Sequence, residues 1–414
     1  MSDSKESVEK AVAGRMRFDL PLLRRVFKAT LAFALIVYFA LGATFLGLRY
    51  VVLPRIDDFR PRIEAFVSAR LHVKLRIDKL ASHWNRLEPG LDVTGLTIHD
   101  RDGNLALSVP HARATLSWSS LLRGKPALAS LVVEQPDVLV TRAADGSIAV
   151  AGVQVPTTHT GNDTTFSNWV LTQRAIVLRD GTLRWHDNQR KAPELALRHI
   201  RAAIFNGAFQ HRVALQAPPE GTVLKGALDF RARFRHAPLA EIGKPTNWNG
   251  QAYLSTGPVD LPTLARYVKV PMKLHAGRID NEIWASFSGG ALRSARGRLQ
   301  GTDVVLQVRP AQPRLSVPVA QFGWAAEIEP QRDYRLRLSN LHAELGQPPL
   351  ADGTPVSRTL SFATLAGRYR VPDVEHGQLM SVAGDRVDLG VLAEFTRALP
   401  VPERFRDELV RFDP

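Results

Sequence analysis

Cysteine is absent from all 414 residues. That excludes disulfide frameworks, thiolate metal sites and cysteine nucleophiles together. It permits an oxidising compartment without requiring one. Long apolar sequence is almost as scarce: Ala29 to Leu48 is a run of twenty residues without a charge, and nothing else in the chain matches it. Catalytic signatures are missing as well. The twelve histidines are isolated, with no His-Glu-x-x-His and no pair at i, i+4 on a helix, which excludes a zinc protease of that kind. Trp185-His186-Asp187 sets a histidine beside a carboxylate, but adjacent strand residues point to opposite faces, and the triplet reads as a hairpin end. Gly243-Lys244-Pro245-Thr246 lacks the first glycine of a phosphate loop and has proline where Ser or Thr would hold magnesium, so it reads as a plain loop. Ser286-Phe287-Ser288-Gly289-Gly290 lacks the glycine two residues before its serine that a nucleophile elbow needs. The tryptophans at 84, 118, 169, 185, 248, 284 and 324 are scattered and read as packing or strand-end residues. No catalytic residue, metal ligand or cofactor is expected, and a hydrolase has no constellation to stand on.

What is present begins with the apolar run. At 1.5 Å per residue, twenty residues span about 30 Å, the thickness of a bilayer's hydrocarbon. Leu31, Phe33, Leu35, Ile36, Val37, Phe39, Leu41, Phe45 and Leu46 are its candidate membrane-contacting residues. Arg15, Arg17, Arg24, Arg25 and Lys28 precede it, and the positive-inside bias then leaves the N-terminus in the cytoplasm. A cleaved signal peptide is the rival, with Ala40-Leu41-Gly42 as a loose cleavage site. Arg49, Tyr50 and Arg55 read instead as an interfacial stop behind a retained anchor. The expected division is a tail at 1–28, a transmembrane helix at 29–53, a β unit with an entry helix at 54–155, and a β continuation at 168–414. Ile56, Phe59, Ile63, Phe66 and Val67 sit at helical spacing with Pro61 near a helix start, which predicts a helix closing the base of the body.

The net charge of +14 invites a nucleic-acid reading. The arginines and lysines are dispersed among strands and no nucleic-acid motif occurs, so nucleic acid is not an expected partner. Anionic lipid headgroups would suit the same charge. The body alternates with period two. Val73, Leu75 and Ile77 alternate with charged neighbours; Leu105, Leu107 and Val109 follow Asp102-Gly103, and Ala114, Leu116 and Trp118 come next. The clearest case is Leu228, Phe230, Ala232 and Phe234 against Asp229, Arg231, Arg233 and Arg235; Tyr334, Leu336 and Leu338 alternate with Arg335 and Arg337. Each such strand has one apolar and one charged face. Asp-Gly pairs at 102–103, 145–146, 180–181 and 352–353 read as hairpin turns, which predicts antiparallel meanders. Pro156 to Ser167 is polar and Thr-rich and reads as a loop. Helices are brief: Leu261 to Lys269 and Leu389 to Leu399, each after a Val-Asp-Leu step whose aspartate can cap it, the two copies 128 residues apart. Hiding the apolar face takes either a second sheet or a sheet curled around a groove.

Leu53-Pro54-Arg55-Ile56-Asp57-Asp58-Phe59-Arg60-Pro61, directly after an anchor, resembles the start of the YhdP branch of AsmA-like proteins. Trp118-Ser119-Ser120-Leu121-Leu122-Arg123-Gly124, then Leu131-Val132-Val133-Glu134-Gln135-Pro136 and Asp145-Gly146, is similar to the family's pattern of strand, Leu-Leu-Arg-Gly, strand, Pro, strand. Arg179 to Asp187 and the Val-Asp-Leu helix at 259–268 look like the family too, so the resemblance runs from about Leu53 to about Arg411. It implies a mainly β fold: a long curled antiparallel sheet, taco-like in section, with a hydrophobic groove and a few short helices behind one N-terminal transmembrane helix. It implies a single-pass protein of the Gram-negative inner membrane whose periplasmic body conducts phospholipid toward the outer membrane, without catalysis. Asn162-Asp163-Thr164 would then be a sequon without meaning. Family members are far longer than 414 residues, and this sequence is expected to be an N-terminal portion of such a chain. The groove candidates are Leu228, Phe230, Ala232, Phe234, Leu336, Leu338, Leu116 and Trp118. Phospholipid and the membrane are the expected partners, with an envelope or outer-membrane protein a possible third. The other reading is an envelope assembly factor that docks proteins by strand addition at a sheet edge.

Overall fold

A computed structural model describes residues 20–71, 73–85, 88–100, 103–118, 127–155, 164–219, 224–270, 272–308, 314–329, 333–346, 357–371 and 379–385. The basic residues Arg15 and Arg17, the Leu-Leu-Arg-Gly step, Asp352-Gly353, the second Val-Asp-Leu copy with its helix, and Arg411 lie outside these residues. The chain divides after Phe59 into two units.

The first unit is helical. Helix α1, Leu20–Gly47, has 28 residues, is followed by a π-helical turn at Leu48–Val52, and then a 3₁₀ stretch at Leu53–Phe59. Helix therefore begins nine residues ahead of the uncharged run. Leu31, Phe33, Leu35, Ile36, Val37, Phe39, Leu41 and Leu46 are exposed, so the helix is apolar on all sides with no packed face. Among the described residues this one helical stretch is long and apolar enough to cross a membrane, with a mean hydropathy of 2.2. The Thr44 hydroxyl donates to Ala40 O at 2.8 Å, so it carries no unpaired polar group into the helix surface. Arg49 lies 5.8 Å from the Phe45 ring centroid and 5.7 Å from that of Tyr50, a cation held against aromatics at the end of the apolar stretch.

The second unit opens with α2, Arg60–Leu71, with Pro61 in its first turn, where a missing N–H costs nothing. The strands that follow are β1 Lys74–Asn85, β2 Glu88–His99, β3 Leu105–Leu116, β4 Leu128–Glu134, β5 Asp137–Arg142, β6 Ile148–Val150 and β7 Val153–Val155. After α3, Thr165–Thr172, come β8 Ala175–Asp187, β9 Leu195–Asn206, β10 Gln210–Ala217, β11 Leu228–Arg235 and β12 Asn249–Asp260. Helix α4, Leu261–Tyr267, leads into β13 Lys273–Ser288, β14 Ala291–Gln307, β15 Leu315–Glu329, β16 Asp333–Gly346, β17 Ser357–Arg370 and β18 Leu379–Gly384. All eighteen belong to one long curled sheet. From β8 to β18 it is a meander of antiparallel neighbours. The parallel exception is at β4 and β5, which both lie antiparallel to β3 and parallel to β8. The sheet thus runs through the boundary expected between 155 and 168, and the segment read as a loop becomes helix from Thr165 onward.

Residues opposed across an antiparallel pair share a face, so the register can be followed across the sheet. Phe230 lies opposite Leu215 and Leu254; Leu254 opposes Ile283, and Ile283 opposes Gly297. Continuing this way, the apolar set stays on one face only if each long strand changes parity once. The strands do this with left-handed residues or bulges: Gly95, Gln135, Asp180, His199, Gly277, Asp303 and Asn340 have φ of 66°, 51°, 56°, 55°, 112°, 52° and 49°. Registers shift beside them, and β12 shifts at Gly257-Pro258. These points form a crease. Asp180-Gly181, expected to be a hairpin turn, is therefore a bulge inside β8, because the chain continues as strand on both sides of it. Asp145-Gly146 is a turn, with Asp145 Oδ1 accepting from Ser147 N at 2.9 Å. Trp118 lies beyond the end of β3, so it is not a third member of the alternation with Ala114 and Leu116.

The core sits at the crease. Leu261, Val304, Val317, Ala343, Leu345, Leu360 and Phe362 are buried together, with Ile279, Leu338 and Leu365 packed on them. Helix α4 is held over this cluster by its cap, in which Asp260 Oδ1 accepts from Thr263 N at 2.9 Å. The helix ends at Tyr267, two residues short of the expected Lys269.

The outer edge of β1 is sealed by α2. Ile77 N donates to Glu64 Oε1 at 2.7 Å and Leu75 N to Ser68 Oγ at 3.1 Å, while Arg60 Nη1 donates to Ile77 O and Asp78 O at 3.0 and 2.8 Å. Edge groups that would recruit another strand are thereby occupied. Glu64→Ala should leave the Ile77 N–H unpaired, destabilise the body by about 1–3 kcal/mol in denaturant titration, and speed amide exchange at Ile77. Gly277→Ala tests the crease. At φ 112° its new Cβ would stand 2.6 Å from Val304 Cα, so a loss of at least about 2 kcal/mol is expected from strain and clash.

Candidate functional site

The candidate site is the inner, apolar face of the curled sheet. Leu228, Phe230, Ala232 and Phe234 project to it from β11, opposite Ala217, Leu215, Val213 and His211 of β10 and Thr256, Leu254, Ala252 and Gly250 of β12. Farther along, Leu336 and Leu338 oppose Ala326 and Trp324 on one side and Gly367 and Leu365 on the other. Leu116 ends β3 opposite Leu128. Seven of the eight groove candidates thus occupy strand positions on the apolar side, and Trp118 does not. The alternate residues Arg231, Arg233 and Arg235 are exposed on the opposite face.

These apolar side chains are not buried alike. Away from the crease, Val213, Leu215, Phe230, Ala232 and Leu254 are half-buried, and Leu336 is 48% exposed. An ordinary packed core would have closed over them. Phe234 is the departure: it is 6% exposed, stacked between His211 at 4.9 Å and Trp248 at 4.7 Å. The stack continues to His236, whose ring lies 5.3 Å from that of His211. The loop after β11 carries the lid of this stack, with Trp248 Nε1 donating to Ile242 O at 2.7 Å. That loop is tied to α3, where Asn168 Oδ1 accepts from Gly243 N at 2.8 Å and Ser167 Oγ donates to Gly243 O at 3.0 Å. One end of β10 and β11 is thus closed by rings, and the middle is open.

Two polar devices interrupt the apolar lining. Asp187, fully buried at the end of β8, pairs with Arg142 of β5 and accepts from Arg190 N at 3.0 Å. Burial pushes the Asp187 carboxyl up, but the Arg142 hydrogen bond, the Arg190 N–H and both guanidinium charges outweigh it and hold the group below the ordinary carboxylate range. His186, its neighbour, faces the other way toward Glu194 at 4.0 Å, so the pair performs no joint chemistry. The second device is His211. Asn206 gives both Nδ2 bonds to Val170 O and Gln173 O, so its Oδ1 accepts from His211 Nδ1 at 2.8 Å and fixes the tautomer. Burial, with the neighbouring His236, lowers His211 to about 4. A neutral ring suits an apolar wall. Among the described residues no group of three or more His, Asp or Glu side chains converges as a metal site would require.

A curled, one-sided antiparallel sheet with a half-open apolar interior, preceded in the chain by one helix of membrane-spanning length, defines a β-groove protein. The family model described as YhdP protein matches residues 16–414, and the chain belongs to that family. No curated protein matches it.

Removing one partner of the buried pair, as in Asp187→Ala, should cost about 3–5 kcal/mol by leaving Arg142 uncompensated. Because the Asp187 pKa is depressed, its contribution is present above the ordinary carboxylate range and is lost as pH falls through the folded value; the Ala variant should show a flatter acid limb. His211 acts in the same direction, because its folded pKa is also depressed. Between its ordinary 6.5 and about 4, the unfolded chain binds a proton that the folded ring refuses, so stability should drop as pH is lowered through that window. His211→Phe should remove that slope in melts recorded from pH 7 to pH 4.

Proposed function

We propose that this protein is an inner-membrane-anchored, periplasmic lipid-transfer protein, conducting phospholipid along the inner face of the curled sheet toward the outer membrane. The observation that carries this reading is the half-open apolar lining, represented by Val213, Leu215, Phe230 and Leu254 on β10 to β12. Each buried CH₂ is worth about 0.8 kcal/mol, so two acyl chains of about sixteen carbons represent roughly 25 kcal/mol if bared to water. A lipid crossing an aqueous gap needs continuous apolar cover, and a one-sided sheet supplies it without chemistry. The basic residues ahead of α1 favour a cytoplasmic N-terminus and a periplasmic body. Arginines on the outer face keep that body in water. Family membership supports the same reading. Strand addition as the working mechanism is disfavoured at the β1 edge, where α2 already fills the hydrogen-bonding positions.

Site-specific photocrosslinking in intact cells tests this. A photoreactive residue at Leu215, Phe230 or Leu338 should capture phospholipid, while one at Arg231, Arg235 or Arg337 should not. Position 234 should label weakly, because its ring is covered by Trp248 and His211. Equal labelling of both faces, or none at the inner positions, would refute the conduit.

A further inference from the structure

The outer face carries a built depression that lipid conduction does not use. It lies across β14, β15 and β16 and has a volume of about 490 Å³. Its floor is made of small residues. Gly323, opposite Arg298 and Ser339, and Ala325, opposite Arg296 and Arg337, leave the middle strand almost bare between flanking arginines. Gln300 and Gln321, directly opposed, close one end, and Trp284 closes the side.

Arg298 is held ready. Its Nη2 and Nε donate to Glu282 Oε2 at 2.5 and 3.2 Å, and its guanidinium stands 6.0 Å from the Trp284 ring centroid. A guanidinium fixed by a carboxylate on one side and a ring below loses little freedom when the rest of its fork binds a ligand. Arg296 and Arg337 have no carboxylate facing them from β15, because their cross-strand neighbour is Ala325. The carboxylates nearest in the register are Glu282, spent on Arg298, and Glu327, paired with Arg335. Three guanidiniums against one carboxylate leave a surplus of two positive charges. A carboxylate ligand would satisfy only one fork. A phosphate monoester brings close to two negative charges and three terminal oxygens.

We propose that this outer depression binds a phosphate monoester group, with Arg296, Arg298 and Arg337 taking its oxygens and Gln300 and Gln321 donating from the end wall. The group could be carried by a soluble molecule or stand on a lipid surface; the recognition chemistry is the same. The full chain in phosphatidylcholine nanodiscs should bind inorganic phosphate saturably, read as a change in tryptophan emission that Trp284→Phe abolishes. Arg296→Gln with Arg337→Gln should weaken that binding at least tenfold. Gly323→Leu should abolish it with every charge retained, and Ala325→Leu serves the same purpose if the first variant fails to melt cooperatively. Capture of phosphatidic acid vesicles, but not of phosphatidylcholine vesicles, would assign the group to a lipid surface; phosphate binding without capture would assign it to a soluble ligand. Failure of phosphate to bind, or loss on charge removal with no loss in either floor-filling variant, would overturn the site and leave only a diffuse basic surface.

Discussion

The body depends on one geometric constraint. A sheet with an apolar and a charged face has a side-chain period of two, so a strand that bends without inserting a residue keeps its parity. Here each long strand must bend at the crease and still keep its apolar residues inside after the bend. The parity change meets both demands, and where it falls at the same level in adjacent strands their registers stay together. Gln135, Asp180 and His199 show how the level is kept across adjacent strands. Asp180 accepts from Gln135 Nε2 at 3.1 Å and from His199 Nδ1 at 2.6 Å, so three left-handed residues are joined by their own side chains. The His199 hydrogen bond, then that of Gln135, holds the Asp180 carboxyl below its ordinary range, so it remains an acceptor at neutral pH.

The crease is also where period-two alternation loses its meaning along a strand. Alternation over Leu228 to Arg235 and over Tyr334 to Leu338 was legible because those spans lie wholly on one side of it. Across it, alternation fails by one residue, and a strand looks like two. Asp180-Gly181 reads as a hairpin for that reason: the dipeptide is a turn signal, and nothing local says that the strand goes on. Gln135, His199 and Asn340 are harder still, since any non-glycine residue at positive φ is uncommon and neither His199 nor Asn340 stands beside a glycine or proline that would signal a turn inside a strand. The Asp260 cap, by contrast, needs only the sequence beside it, and it was read correctly. Among the site residues, Phe234 shared its alternation with Phe230, but the closing ring of Trp248 comes from a loop whose course no periodicity encodes.

Charge placement follows from the same two-faced design. An apolar inner face can hold a charge only if it is fully paired, as Asp187 is with Arg142, or a titratable ring only if it stays neutral, as His211 does. The arginines of β11 and β16 alternate with the apolar positions and face outward. Arginines without a facing carboxylate then collect on the outer face, as Arg296 and Arg337 do on either side of Ala325. Arg212 of β10 stands directly opposite Arg233 of β11, an arrangement that costs stability in isolation. Dispersal in the sequence is thus not dispersal in space. Outward positions of neighbouring strands bring residues far apart in the chain, such as Arg296 and Arg337, to the two sides of a single strand.

The edge at β1 gives the sheet a direction. Glu64, Ser68 and Arg60 occupy the hydrogen-bonding positions that another strand would need, so extension on that side is closed by side chains. A helix does this better than a charged strand would. It satisfies edge donors and acceptors together, where a lysine or proline would only discourage pairing. Sealing matters at an edge whose backbone groups would otherwise be open to pairing. The residues that do it lie on the helix that begins the sheet unit, next in the chain after the helical unit. Termination of the sheet and connection to the apolar helix are therefore encoded within one short span, Arg60–Leu71.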